Sequence, residues 1–130
     1  MHDSITWVGM DVHKENIVVA AINGAGETTA RWETPNTAKG KERLAKRLAE
    51  WGNVRCVYEA GPCGYDLRRF LEEKKICCDV IAPSLIPKKP GDRVKTDRRD
   101  AEKLARMHRM GELTTVHVPT PAQEALRAGK

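Results

Sequence analysis

The sequence predicts an α/β domain built on a mixed five-stranded sheet, and three observations lead there. Short apolar runs separated by turn residues fill the first thirty-odd positions. After Pro35 the apolar spacing changes to that of a helix, and from there helix-like and strand-like segments alternate. At 130 residues the chain has one domain's worth of length, enough to bury a core without disulfide or metal staples.

Each element can be justified in turn. Thr6-Trp7-Val8-Gly9-Met10-Asp11 is apolar on both faces, as a central strand is. The polar break His13 to Asn16 leads into a second strand, Ile17 to Ile22. Asn23-Gly24-Ala25-Gly26 then supplies residues that tolerate positive φ. Glu27 to Glu33 alternates as a third strand and completes an antiparallel meander. Asn36 or Thr37 can cap a first helix, in which Leu44, Leu48 and Trp51 recur at i, i+4, i+7 before Gly52 stops it. Val54 to Glu59 is the fourth strand. Gly61-Pro62-Cys63-Gly64 breaks it, and Leu67, Phe70 and Leu71 mark a second helix through about Lys75. Cys77 to Ile81 forms the fifth strand. A loop with Pro83, Pro87, Pro90 and Gly91 precedes a third helix from about Asp97 to Met110. The order β-β-β-α-β-α-β-α, three antiparallel strands and then alternating helices and strands, implies parallel pairing with right-handed crossovers in the second half. Val116 to Val118 reads as a short extended piece and Pro121 to Arg127 as the first turns of another helix. We therefore expect a domain over residues 1–119, with 120–130 starting a helix or linker to an absent C-terminal domain.

Composition narrows the functional classes. The chain is 40% hydrophobic and 32% charged, which suits a globular domain and argues against wholesale disorder. Its longest apolar run, Ile17 to Ile22, is six residues, far short of the ~20 a membrane helix needs. No basic-then-apolar signal pattern opens the sequence. Cys56, Cys63, Cys77 and Cys78 contain no C-x-x-C pair, and His2, His13, His108 and His117 lie at no metal-ligand spacing from them. Four reduced thiols in a cytoplasmic protein are expected, with adjacent Cys77 and Cys78 facing opposite sides of a strand.

The charge is localised. Lys88, Lys89, Arg93, Lys95, Arg98, Arg99, Lys103, Arg106 and Arg109 oppose only Asp92, Asp97, Asp100 and Glu102. Nine bases against four acids account for the entire net charge of +5. Clustered cations of this kind suit phosphate contacts, although a solvated helix face is the plainer alternative.

Four acids stand where burial is expected. Asp11 ends the most buried-looking strand, and Glu59 ends the fourth strand on the same face as Val57. If those strands are parallel neighbours, both carboxylates emerge at one C-terminal edge, where open α/β sheets bind ligands. Asp97, Asp100, Ala101, Leu104, Ala105 and His108 follow the spacing of one helical stripe, with Arg98 and Arg99 pointing away from it. A first-turn cap would explain one of the two aspartates. Carboxylates gathered without counter-charge repel by roughly 4 kcal/mol at ~4 Å and an effective dielectric of 20. Hard divalent cations relieve that repulsion, and a pair of them suits in-line phosphoryl displacement.

Gly9-Met10-Asp11-Val12-His13-Lys14, Tyr58-Glu59-Ala60-Gly61 and Lys95-Thr96-Asp97-Arg98-Arg99-Asp100-Ala101 together resemble the N-terminal domain of the DEDD transposases of insertion-sequence family 110. The resemblance covers about Val8 to Pro119, and its Asp-x-x-Asp-Ala motif is the most specific part. It implies a RuvC-like, RNase H-like fold in which Asp11, Glu59, Asp97 and Asp100 are the D, E, D and D. These would bind Mg²⁺, two ions or alternatively Mn²⁺, and assist DNA cleavage and rejoining during movement of an insertion sequence. Family members are also associated with a structured guide RNA, and the full-length protein would be a homo-oligomer. Lys88, Lys89, Arg93, Lys95, Arg98 and Arg99 would contact nucleic acid. His13, two residues beyond Asp11, could relay a proton, with Lys14 as a neighbouring auxiliary, or be an ordinary turn histidine. Family members also carry a second domain with a DNA-attacking serine; Ser4 and Ser84 lie in no matching context, so we expect that domain to be absent from these 130 residues.

Two other readings stand beside this one. The chain could be a nucleic-acid-binding or dimerisation fragment whose acids are not catalytic. Gly9 to Lys14 could instead be the phosphate loop of a sugar-kinase-like ATPase, although the second domain and adenosine-side glycine motifs of those enzymes are missing. Trp7, Trp32 and Trp51 are open between base stacking and core packing, with Trp51 favouring the core.

Overall fold

A computed structural model describes residues 4–61, 64–86, 95–97 and 99–118. Among them, β1 (Thr6–Val12), β2 (Asn16–Ile22) and β3 (Thr28–Pro35) form the expected meander. They are followed by α1 (Ala38–Glu50), β4 (Val54–Glu59), α2 (Asp66–Glu73) and β5 (Cys78–Ile81). A two-stranded ribbon, β6 (Ser84–Ile86) and β7 (Lys95–Asp97), then precedes α3 (Ala101–Arg109). The main sheet has the order β3-β2-β1-β4-β5, antiparallel through β3-β2-β1 and parallel through β1-β4-β5. The predicted α/β class and five-stranded mixed sheet are those observed.

Strand alternation divides the sheet into two unlike faces. Val8 and Met10 of β1, Cys56 and Tyr58 of β4, and Cys78 and Val80 of β5 join Leu44 and Leu48 of α1 and Leu67 and Leu71 of α2 in one large buried cluster. Each fully buried Leu of this kind contributes roughly 2 kcal/mol through apolar burial. The opposite face belongs to α3, which packs across β1, β2 and β4. Its smaller core centres on Leu104, Val57 and Ile81.

The helices start and stop for local reasons. Thr37 caps α1, its hydroxyl accepting the Gly40 N–H at 3.0 Å, and Gly52 follows the last turn at φ +81°. Beyond α2, Lys75 takes the left-handed position usually given to glycine (φ +63°), while the Ile76 N–H returns to the Leu71 carbonyl. Gly9 serves close packing: a Cβ there would lie 1.9 Å from the Ala101 carbonyl oxygen and 2.6 Å from the Ala105 nitrogen. α3 can rest on β1 only because that position carries no side chain.

Two expectations need correction. The segment after Pro83 contains the β6–β7 ribbon, with Ser84 opposite Asp97 and Ile86 opposite Lys95, where a plain loop was expected. The third helix begins at Ala101, so Asp97 ends a strand instead of opening a helix. After α3, the Val116 N–H bonds the Val80 carbonyl at 2.8 Å, beside a single bridge between Ile81 and Thr115. The helix expected over 121–127 and the residue Cys63 lie outside the described residues. Among the described cysteines, Cys56, Cys77 and Cys78 are free thiols, with Cys77 exposed and Cys78 buried, as alternation required.

Candidate active site at the C-terminal sheet edge

β1 and β4 run parallel with Met10 opposite Tyr58, so the next residue of each, Asp11 and Glu59, leaves the sheet at the same end. Met10 and Tyr58 point into the α1–α2 core, so Asp11 and Glu59 point to the α3 face. Alternation and register thus bring two carboxylates to one edge and one face. The N-terminus of α3 approaches the same place, because Ala101 rests on Gly9, two residues before Asp11.

Arg99 makes the link explicit. Its backbone N–H donates to Glu59 Oε1 at 3.0 Å, and its Nη2 donates to Glu59 Oε2 at 3.1 Å and to the Ala82 carbonyl at 3.1 Å. The two side chains are only 11% and 12% exposed. One residue therefore joins the end of β4, the exit of β5 and the approach to α3. The expectation that Arg99 points away from the acids is overturned. It rested on a helix starting at Asp97, whereas residue 99 precedes the helix, which begins at Ala101, so helical spacing does not set its direction.

Asp11, Glu59 and Asp100 each have a partner within the chain. Asp11 Oδ2 lies 2.9 Å from His13 Nε2, as residues two apart on an extended segment permit. The Asn36 side chain fastens this turn by donating to the His13 carbonyl at 2.7 Å. Asp100 is the N-cap of α3, accepting the Lys103 N–H at 2.7 Å. A first-turn cap was anticipated, and Asp100 fills it.

The donor chemistry, carboxylate oxygen at Asp11 and Glu59, suits a hard divalent cation. Among the described residues, however, no three His, Cys, Asp or Glu side chains converge closely enough to hold one. The backbone of Asp97 ends β7 in register with Ser84. Lys88, Lys89, Arg93 and Arg98 lie outside the described residues, and Lys95 is described only as the first residue of β7. Lys14 is exposed in the β1–β2 turn.

Two other arginines of the basic segment are also engaged by the protein. Arg109 donates to the Gly24 carbonyl through Nε at 3.1 Å and Nη2 at 2.6 Å. Arg106 reaches the Gly26 carbonyl at 3.0 Å and Thr28 Oγ1 at 3.2 Å. They bind α3 to the β2–β3 turn. Nothing in a charge count signals this, because the acceptors are two backbone carbonyls and a threonine hydroxyl some eighty residues away.

The lower end of the α3 face is different again. His108 stacks edge-on against Trp7, with ring centroids 5.3 Å apart, and its Nε2 is 3.4 Å from Asp79 Oδ2 without hydrogen-bond alignment. Burial holds its pKa below the ordinary value, Asp79 opposing and Arg55 reinforcing the shift. Trp32 packs against the large core beneath the Arg47 guanidinium, 4.7 Å from the ring centre, and Trp51 also packs there. Burial raises the pKa of the Cys56, Cys78 and Tyr58 side chains and keeps all three neutral. Among the described residues, no helix is long and apolar enough to cross a membrane.

Comparison with known proteins agrees with this architecture. The family model described as "Transposase", for the DEDD enzymes of insertion-sequence family 110, matches residues 8–129. A Sinorhizobium fredii protein named as transposase y4qE is 47% identical over 93% of this chain. The transposase for insertion sequence element IS1533 of Leptospira borgpetersenii is 40% identical over 79% of it. These alignments cover 32% and 30% of the relatives, so the chain spans about a third of their length. With sheet, acidic edge and family match in agreement, the chain belongs to the DEDD transposases of insertion-sequence family 110.

Proposed function

We propose that this chain is the acidic catalytic portion of a transposase, cleaving and rejoining DNA with divalent-cation assistance. The observation that carries the reading is the shared edge and face of Asp11 and Glu59 on neighbouring parallel strands, under the N-terminus of α3. Asp11, Glu59, Asp97 and Asp100 would hold Mg²⁺ or Mn²⁺, two ions in the complete site. A bound cation supplies charge neutralisation at the phosphoryl oxygens and a more acidic water. The chain's own residues do the rest. Glu59 and Asp11 fix the donor oxygens, His13 orients Asp11 and is placed to accept a proton beside it, and Lys14 stands exposed in the same turn. Lys88, Lys89, Arg93, Lys95 and Arg98 would track the phosphate backbone of DNA or of a guide RNA. Strand exchange and homo-oligomerisation would accompany that cleavage and rejoining.

One observation favours a second reading. Asp11, Glu59 and Asp100 all have partners within the chain, as would suit a nucleic-acid-binding piece whose acids are structural. Titration of the chain with Mn²⁺ separates the two. The catalytic reading expects saturable binding that Asp11→Asn and Glu59→Gln each weaken at least tenfold. Nucleic-acid binding indifferent to the cation, with Mn²⁺ affinity unchanged in both variants, would leave only the second reading.

A further inference from the structure

We infer that Arg99 is a positioning residue of the acidic edge: its guanidinium is the internal counter-cation of Glu59 and exchanges places with a divalent cation. The inference rests on the proposed cation-dependent function. The two oxygens of Glu59 are held differently. Oε1 is held by the Arg99 backbone N–H, which stays in place whatever the side chain does, and Oε2 by Nη2, which a rotamer change removes. The contact to be surrendered is therefore separable from the one that keeps the approach to α3 on β4.

The guanidinium is also incompletely used. Its Nε is buried without a hydrogen-bond partner, and the single Nη2 is shared between Glu59 and the Ala82 carbonyl. An arginine–carboxylate pair is strongest as a two-pronged fork, and here the side chain supplies one prong to the carboxylate. A dication bound at Oε2 would face that guanidinium at close range in a mostly buried setting, so both cannot remain. Cation entry then drives Arg99 off Oε2 while Asp100, the next residue, keeps its cap on α3.

The prediction has an unusual sign. Arg99→Gln should lower the melting temperature without added metal, because Glu59 loses its counter-charge. The same variant should bind Mn²⁺ at least fivefold more tightly than the unsubstituted chain, measured by electron paramagnetic resonance of free Mn²⁺. A residue with only a structural role would lower both. Arg99→Lys keeps the charge but is too short to span Glu59 and Ala82, so it should fall between the two and serves as the test if Arg99→Gln does not fold. In the double variant Arg99→Gln/Glu59→Gln the gain in affinity should vanish. Unchanged or weaker Mn²⁺ binding in Arg99→Gln and Arg99→Lys, with Glu59→Gln still weakening it, overturns the exchange and leaves the cation site standing. Mn²⁺ binding untouched by Glu59→Gln overturns both.

Discussion

The two faces of the sheet differ in what they are built from. The α1–α2 face is filled by large aliphatic side chains that touch one another, among them Val8, Met10, Leu44, Leu48 and Leu71. The α3 face has a narrow apolar centre at Leu104, Val57 and Ile81, with polar ends: Asp11, Glu59 and Arg99 at one, His108 and Asp79 at the other. The same strands build both, because successive residues alternate sides. Stability is concentrated on one surface, which frees the other to carry charge at its edge.

That division can be broken from either side. Leu48→Ala removes a fully buried side chain from the large core and should cost about 3 kcal/mol in urea unfolding. It should leave the Glu59–Arg99 contact intact. Gly9→Ala attacks the other face. Its new methyl would meet the α3 backbone, so the helix must shift, at a cost of about 1–3 kcal/mol. Cation affinity should fall with it, because the start of α3 moves off β1, whereas in Leu48→Ala affinity should persist.

A smaller effect belongs to His108. Its pKa is lowered on folding, so below about pH 6.5 the unfolded chain binds a proton that the folded chain resists. Stability should therefore fall as pH drops through that region and be unaffected above it. His108→Gln should flatten this part of the melting-temperature profile. A profile identical in both proteins would mean that the lower end of the α3 face is not closed to water. The smallest effect is at Lys75, where glycine should stabilise by about 0.5–1 kcal/mol by removing Cβ strain at positive φ.

Much of this division could be read in advance, for physical reasons that vary by element. The bounds of Val54 to Glu59 are legible because a short run rich in Val, Cys and Tyr lies between Asn53 and Gly61. Asp11 and Glu59 could be assigned one edge on the condition that β1 and β4 are parallel neighbours, and the register of the sheet supplies that condition. The β6–β7 ribbon was not legible: three-residue strands carry too little periodicity, and the prolines around them signal a loop. The start of α3 was misjudged because Asp97 and Asp100 both suit an N-cap and both fit the stripe. The carboxylate of Asp100, accepting the Lys103 N–H, decides between them. The roles of Arg99, Arg106 and Arg109 were invisible, since their acceptors lie far away in sequence and are partly backbone carbonyls.

Anomalous diffraction from crystals of this chain soaked in Mn²⁺ tests the central claim most directly. A peak is expected at the C-terminal sheet edge, about 2.1 Å from a carboxylate oxygen of both Asp11 and Glu59, with the Arg99 guanidinium withdrawn from Oε2. A peak elsewhere, or none at saturating Mn²⁺, would contradict it.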